Sequence, residues 1–296
     1  MGKPIVVQSL IGGSQLSFYI NCLKSLIEFS ADTFELYLHN DCSLSKGDEE
    51  FVYSELSGTD VTISDSSKST NRTLDLLEGK PNSQKFRKES IWGIEFFDPL
   101  FSNVNDPISF YLDADIFFLR SFSGLFSRSH TEGGAVFLKD TQWDAYCIRP
   151  WHLVGAGKKP DLVKGITTGL VFWDKRAIDW DYLEWFLGTQ EFHNIPDWIM
   201  PTAQAGLAKR CQSKTVCPKQ ITNLYPNAKL SEDTFGIHLF GSYRKEWFKK
   251  IDVLQKNRAK DLPVCSARFD ICKKLGFSGY AWNQAKRWCN TRLNIW

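Results

Sequence analysis

Asp113 and Asp115 stand one residue apart in FYLDADIFFL (110–119), a run that is otherwise apolar. Carboxylates taken out of water without partners are costly, so such a run should have a use for them. Three uses fit the residue types: a divalent-metal site, a nucleophile pair for phosphate transfer, or two polar residues where a strand meets solvent. On an extended strand, residues two apart point to the same side. Converging carboxylates repel unless a cation lies between them. Oxygen-rich carboxylate sites favour Mg²⁺ or Mn²⁺, and such an ion can bind a diphosphate and stabilise charge on a departing phosphate oxygen.

A second stretch, IHLFGSYRKEW (237–247), brings His238, Gly241, Arg244, Lys245 and Trp247 together. Imidazole is an acceptable ligand for Mn²⁺. A lone histidine in apolar surroundings can equally be a satisfied core residue.

The elements that must position these residues follow from periodicity. PIVVQSLIG (4–12) reads as a buried strand with a glycine turn after it. Leu16, Tyr19, Ile20, Leu23 and Ile27 then carry the spacing of an amphipathic helix. FELYLHND, DEEFVYSEL and DVTIS read as strand, helix and strand, and residues 65–83, rich in Ser, Asn, Lys and Gly, as a loop. NSQKFRKESIWGIEFFDPLF reads as one helix stopped at Pro99, followed by a strand from Ile108 to Leu119. This alternation predicts an α/β fold, an open and mostly parallel sheet with helices on both faces. In such sheets ligands gather at the carboxyl ends of the strands, where Asp113 and Asp115 fall. Further on, GAVFL, TTGLVFWD and FGIHLF read as strands and DWDYLEWFL as a helix.

FYLDADIFFL resembles the DxD strand of GT-A glycosyltransferases, which transfer a sugar from a nucleotide-sugar donor. IHLFGSYRKEW resembles the late H-x-x-G-x-x-K-P-W signature of the glycogenin and lipooligosaccharide-galactosyltransferase group. The resemblance spans roughly residues 4–250. It implies a metal held by Asp113, Asp115 and His238, with Gly241 approaching the phosphate and Arg244, beside Lys245, in the place of the lysine that contacts the diphosphate. Arg for Lys and Glu246 for Pro are departures: the charge survives, but an Arg fork does not have the geometry of an ammonium. The opening βα unit resembles the one that holds base and ribose, implicating Gln8, Ser9 and Leu10. Asn40-Asp41 at the end of the second strand suits a base contact or a turn cap. Lys85 and Arg87 match the place of a basic residue that meets the donor, or else form a solvated helix face. TTGLVFWD resembles the segment bordering the acceptor, with Thr167 in place of Asn. Asp197 corresponds to the acid of a D-Q pair near the reacting carbon, but Trp198 replaces the Gln. A phosphatase-like D-x-D would lie on the first strand of its domain and precede Thr or Val; here three strand–helix units come first and Phe117 follows.

The expected activity is therefore metal-dependent transfer of a hexose, UDP-linked, to a hydroxyl of an acceptor glycan, lipid or protein, with retention of configuration implied by the resemblance. The competing class is an inactive protein of the same fold that binds a glycan or partner.

Charge is uneven along the 296 residues. From Arg244 onward there are thirteen Lys/Arg against four Asp/Glu, leaving 23 basic against 30 acidic residues before it. Such asymmetry points to a basic C-terminal surface that meets something anionic. The sequence divides at 247 into a catalytic domain (1–247) and a basic, aromatic extension (248–296), packed on the domain or touching a membrane interface. Nucleic acid is not expected, because no motif for it occurs. No stretch suits a spanning helix, and a strand starting near Pro4 leaves no room for a secretory signal. The eight scattered cysteines, none in CxxC, read as free thiols of a cytoplasmic protein.

Overall fold

A computed structural model describes residues 4–103, 105–154, 158–225, 228–241, 244, 250, 251, 253, 256 and 262–293. The chain begins as its periodicity predicts, with β1 (Ile5–Ile11), α1 (Leu16–Phe29), β2 (Phe34–Asn40), α2 (Lys46–Glu55) and β3 (Val61–Ile63). The stretch expected to be a loop instead forms α3 (Ser66–Leu76). Its polar composition hid it, yet Asp65 caps it by accepting from the Lys68 amide. The single helix expected next is two, α4 (Pro81–Glu89) and α5 (Ile91–Phe101). Ser90 breaks them with extended backbone and caps α5 through the Trp92 amide. The corner is tight: a Cβ on Gly93 would lie 2.3 Å from the Phe86 carbonyl oxygen.

The apolar run 108–119 is likewise two strands. β4 (Ile108–Leu112) lies inside the main sheet, and β5 (Ile116–Phe118) belongs to a separate small one. Asp113, Ala114 and Asp115 form the corner between them. The two carboxylates therefore converge by a turn of the chain, not by strand alternation. β6 (Phe122–Ser123), α6 (Arg128–Thr131), β7 (Gly134–Lys139), β8 (Ile166–Asp174), α7 (Trp180–Gly188), α8 (Ile199–Ala208) and β9 (Gln212–Val216) follow. After them come β10 (Ile221–Asn223), β11 (Gly236–His238), β12 (Cys265–Ser266), β13 (Phe269–Ile271) and a last helix, here α9 (Phe277–Leu293).

The main sheet has the order β13-β9-β7-β8-β4-β1-β2-β3. It is parallel at β1–β2, β1–β4, β2–β3 and β7–β9, and antiparallel at β4–β8, β7–β8 and β9–β13. Alternate residues of its strands enter opposite cores, as the pleat requires. Phe110, Leu112, Val136, Leu138, Leu170 and Phe172 pack with α1 on one face. Tyr111, Ala135, Phe137, Val171 and Trp173 pack with α5, α7 and α8 on the other. β5 pairs with β11, which pairs with β10, and this small sheet carries His238 to the Asp corner.

The described C-terminal residues join two of the sheets. β13 extends the main sheet beyond β9, and β12 pairs with β6. In α9, Tyr280 is buried and its hydroxyl donates to the carbonyls of Tyr146 and Ile148. All eight cysteines are free thiols. No helix among the described residues is long and apolar enough to cross a membrane.

Candidate active site

The Asp113–Asp115 corner is held from three sides. The Asp113 amide donates to the Gly169 carbonyl of β8 (2.8 Å), and the Leu239 amide after β11 donates to the Asp115 carbonyl (2.9 Å). The Tyr111 hydroxyl donates to Asp113 Oδ1 at 2.7 Å. His238 then meets both carboxylates, its Nε2 lying 3.1 Å from Asp115 Oδ1 and 3.7 Å from Asp113 Oδ2. Its other nitrogen, Nδ1, is 2.8 Å from Asn223 Oδ1 on β10. An amide oxygen only accepts, so Nδ1 carries the proton and Nε2 faces the aspartates. Room for the ring comes from Gly169, where a Cβ would lie 2.6 Å from His238 Cε1.

These three side chains present one ligand atom each, all within 4.8 Å of one another. The donor set, two carboxylates and an imidazole, fits a divalent cation of the Mn²⁺ type. Asp115 Oδ1 is buried and makes no well-aligned hydrogen bond, despite the nearby imidazole. An orphaned buried carboxylate oxygen aimed at two other potential ligands fits the coordination of a cation. The electrostatics agree. Burial opposes a charged imidazole, yet the Asp115 and Asp113 carboxylates outweigh it and push the His238 pKa up to about 10. Burial also raises the Asp113 carboxyl, against the lowering influence of the nearby His238 imidazole. The site thus holds a proton where a cation would go.

Around this cluster opens a cavity of about 580 Å³, a volume typical of small-molecule sites. Leu10, Ile11, Gly12, Asp41, Asp140, Thr167, Thr168, Asp197 and Trp198 are among the residues that line it. Gly241, with φ +61°, and Arg244 also line it.

No protein-family model and no curated protein matches this chain. Solved structures do. Mouse xyloside xylosyltransferase 1, in its apo form, superposes with a TM-score of 0.55 at 12% identity, over 81% of this chain and 98% of that one. The galactosyltransferase LgtC, in complex with donor and acceptor sugar analogs, gives 0.53 at 12% identity over 88% and 98%. The glycosyltransferase GlyE of Streptococcus pneumoniae TIGR4 gives 0.50 at 12% identity over 86% and 63%. The chain has the GT-A fold.

In this GT-A framework the residues singled out from sequence divide into two groups. Asp113, Asp115, His238, Leu10, Asp41, Asp197, Gly241 and Arg244 all line the cavity. Arg244 donates to Asp115 Oδ2 at 2.6 Å, to the Leu239 carbonyl at 2.9 Å and to Gln15 Oε1. Asp41 lines the cavity, and its Oδ1 caps a turn through the Ser43 amide.

Gln8, Ser9, Lys85 and Arg87 are not brought to the cavity. Gln8 Nε2 donates to the Pro99 carbonyl and Ser109 Oγ, while its Oε1 accepts from Ser102 Oγ and faces His39 Nε2. Ser9 Oγ donates to the Leu112 carbonyl. Both lie inside the sheet layer, where their polar atoms tie β1 to β4 and α5. Arg87 is buried in a two-pronged ion pair with Asp98, at 2.5 and 2.8 Å. Lys85 is exposed on α4. Lys245 and Trp247 lie outside the described residues.

Glu95 was not foreseen. It lies on α5, lines the cavity and is only 7% exposed. Burial, then the charges of Asp113 and Asp115, hold its carboxyl well above the usual carboxylate range, against a hydrogen bond with Thr168. The signal was present: Glu95 is a lone acid in the apolar stretch IWGIEFF. Asn223 left no comparable trace.

Proposed function

We propose that this chain is a metal-dependent glycosyltransferase. It moves a hexose from a nucleotide sugar, UDP-linked, to a hydroxyl of an acceptor glycan, lipid or protein. The observation that carries the reading is the convergence of Asp113, Asp115 and His238 on one point of a cavity in a GT-A fold. A bound Mn²⁺ or Mg²⁺ would supply Lewis-acid stabilisation of the leaving diphosphate. The protein's own share is positional. Asn223 and Gly169 orient His238, Tyr111 orients Asp113, and Arg244 places a guanidinium beside the Asp corner, where a leaving phosphate gains charge. Lys245 adds a second cation in sequence. Asp197 is the carboxylate assigned to the reacting carbon, supported by its place on the cavity wall. Retention of configuration is the finest part of the proposal and rests on the motif resemblance.

We further place the protein in the cytoplasm, with α9 at a membrane periphery. Trp282 is 73% exposed, and Lys286 lies one turn away on the same outward side. That pairing suits an anionic lipid interface. Flotation with phosphatidylserine vesicles checks it: Trp282→Ala with Lys286→Glu should abolish co-flotation.

The central test is calorimetric titration of UDP with and without Mn²⁺. Binding should require the metal and vanish in Asp115→Asn, and a nucleotide-sugar panel should reveal slow metal-dependent donor hydrolysis. Metal-independent binding, or full activity in Asp115→Asn, would overturn the reading.

A further inference from the structure

Among the described residues, three buried acids line the cavity: Glu95, Asp115 and Asp140. Two of them have their partners within the protein. Asp115 meets Arg244 at 2.6 Å and faces His238, and Asp140 accepts from the Gln142 and Trp143 amides and the Tyr225 hydroxyl. Glu95 has neither a cation nor a backbone amide set against it among the described residues; its polar neighbour is the Thr168 side chain of β8. Ile91, Trp92 and Glu95 follow the three- and four-residue spacing of one face of α5, and all three line the cavity. Phe96 and Phe97, next along the helix, are buried in the core. An apolar residue at 95 would suit such packing better, because a buried carboxyl is costly unless it is hydrogen-bonded. A partner from the cavity side removes that cost.

The position of Glu95 narrows what that partner is. Thr168 directly precedes Gly169, whose carbonyl accepts from the Asp113 amide at 2.8 Å, and the charges of Asp113 and Asp115 act on Glu95. Glu95 therefore lies beside the metal cluster without joining it: the side chains whose ligand atoms fall within 4.8 Å of one another are Asp113, Asp115 and His238. A metal in that cluster would hold the donor diphosphate, and the donor sugar is attached to that diphosphate through one phosphoester bond. A sugar hydroxyl is both donor and acceptor. It donates to a carboxylate, and it donates to or accepts from a protonated carboxyl, so it suits Glu95 in either state.

We propose that Glu95 hydrogen-bonds one hydroxyl of the donor hexose, in the gluco or galacto series, and so helps to determine which sugar the site accepts. This rests on the glycosyl-transfer reading and deepens it at the donor end. Glu95 acts as a specificity determinant and forms no covalent bond.

The test uses the full chain with Mn²⁺ and competition calorimetry. UDP alone is titrated first, then UDP-glucose and UDP-galactose, each beside its set of monodeoxy analogues. In at least one series, one analogue should bind about tenfold or more weakly than its parent, because losing that hydroxyl leaves Glu95 without its partner. Glu95→Leu should bind the parent no better than that analogue, closing the gap at this position while any discrimination at the others persists. Glu95→Gln, which keeps a donor and an acceptor at the same reach, should retain most of the gap. Binding of UDP–Mn²⁺ by each variant reports that it is folded, and Glu95→Met replaces Glu95→Leu if the latter fails that check. The proposal falls if no single hydroxyl matters in either series, or if the gap survives in Glu95→Leu. It falls too if Glu95→Leu weakens the parent and every analogue alike, the mark of a residue that only supports the wall. Absence of metal-dependent UDP binding in the wild type is a different failure, which removes the glycosyl-transfer reading itself.

Discussion

Asn223 Oδ1 sits 2.8 Å from His238 Nδ1, so the imidazole turns its Nε2 towards Asp113 and Asp115. One amide on β10 thus decides which nitrogen of a residue on β11 can act as a ligand. Partners of this kind usually change metal affinity by ten- to a hundredfold. Asn223→Leu should therefore weaken Mn²⁺ binding by about that factor, read by Mn²⁺ electron paramagnetic resonance titration. Asn223→Asp, which keeps an acceptor for Nδ1–H, should recover most of it. Equal affinity in all three proteins would show that the ring is oriented by packing against Gly169 alone.

On the proposed reading, a metal and a proton would compete for the same place. The metal-free His238 has its pKa pushed up to about 10 by the two aspartates, so near pH 7.5 the imidazole carries a proton on Nε2. A cation must displace it. Mn²⁺ binding should release about one proton, and apparent affinity should fall about tenfold per pH unit as pH drops below that pKa. Calorimetry in buffers of different ionisation enthalpy measures the release directly. A value near zero would mean that the metal does not bind through His238.

The part of this site legible in sequence is the part where charge interrupts an apolar pattern. Asp113, Asp115 and His238 each stand in such a run, and Glu95 would have been found by the same rule. What periodicity could not supply is direction. It assigns Gln8 and Ser9 to β1, but which neighbours receive their polar atoms depends on β4 and α5, a hundred residues away. It also joined β4 to β5, because apolar content does not change where the chain leaves one sheet for another. The α4–α5 break escaped notice because Ser90 and Gly93 are compatible with a continuous helix until Phe86 is packed against them.

Arg87 illustrates the same limit and can be tested. Its ion pair with Asp98 is buried on both sides, at 5% and 3% side-chain exposure. Removing one member leaves an uncompensated buried charge, which typically costs 3–5 kcal/mol. Arg87→Ala should therefore lower the urea midpoint severely while leaving UDP–Mn²⁺ affinity of the folded protein intact. A variant with weakened UDP binding and normal stability would instead place Arg87 in contact with the donor.

Two buried groups should give stability opposite slopes with pH. His39 is fully buried, its Nε2 2.9 Å from Gln8 Oε1 and its Nδ1 without a hydrogen-bond partner. Burial, opposed by the Asp98 charge and reinforced by Arg72 and Arg87, lowers its pKa to about 4. The unfolded chain binds this proton near pH 6.5 and the folded one only near 4, so stability present above 6.5 is lost as pH falls between these values. The loss amounts to about 3 kcal/mol. Glu95 behaves in reverse. Its folded carboxyl stays protonated above the range where the unfolded one ionises, so its contribution is complete at low pH and declines as pH rises. Urea unfolding from pH 4 to 9 should show both limbs. His39→Gln should flatten the acid limb, while Glu95→Gln should only lessen the alkaline one, because His238, with its pKa pushed up to about 10, also loses its stabilising contribution as pH rises above 6.5. If the acid limb persists in His39→Gln, the destabilising proton is bound elsewhere and His39 is not the group that resists charging.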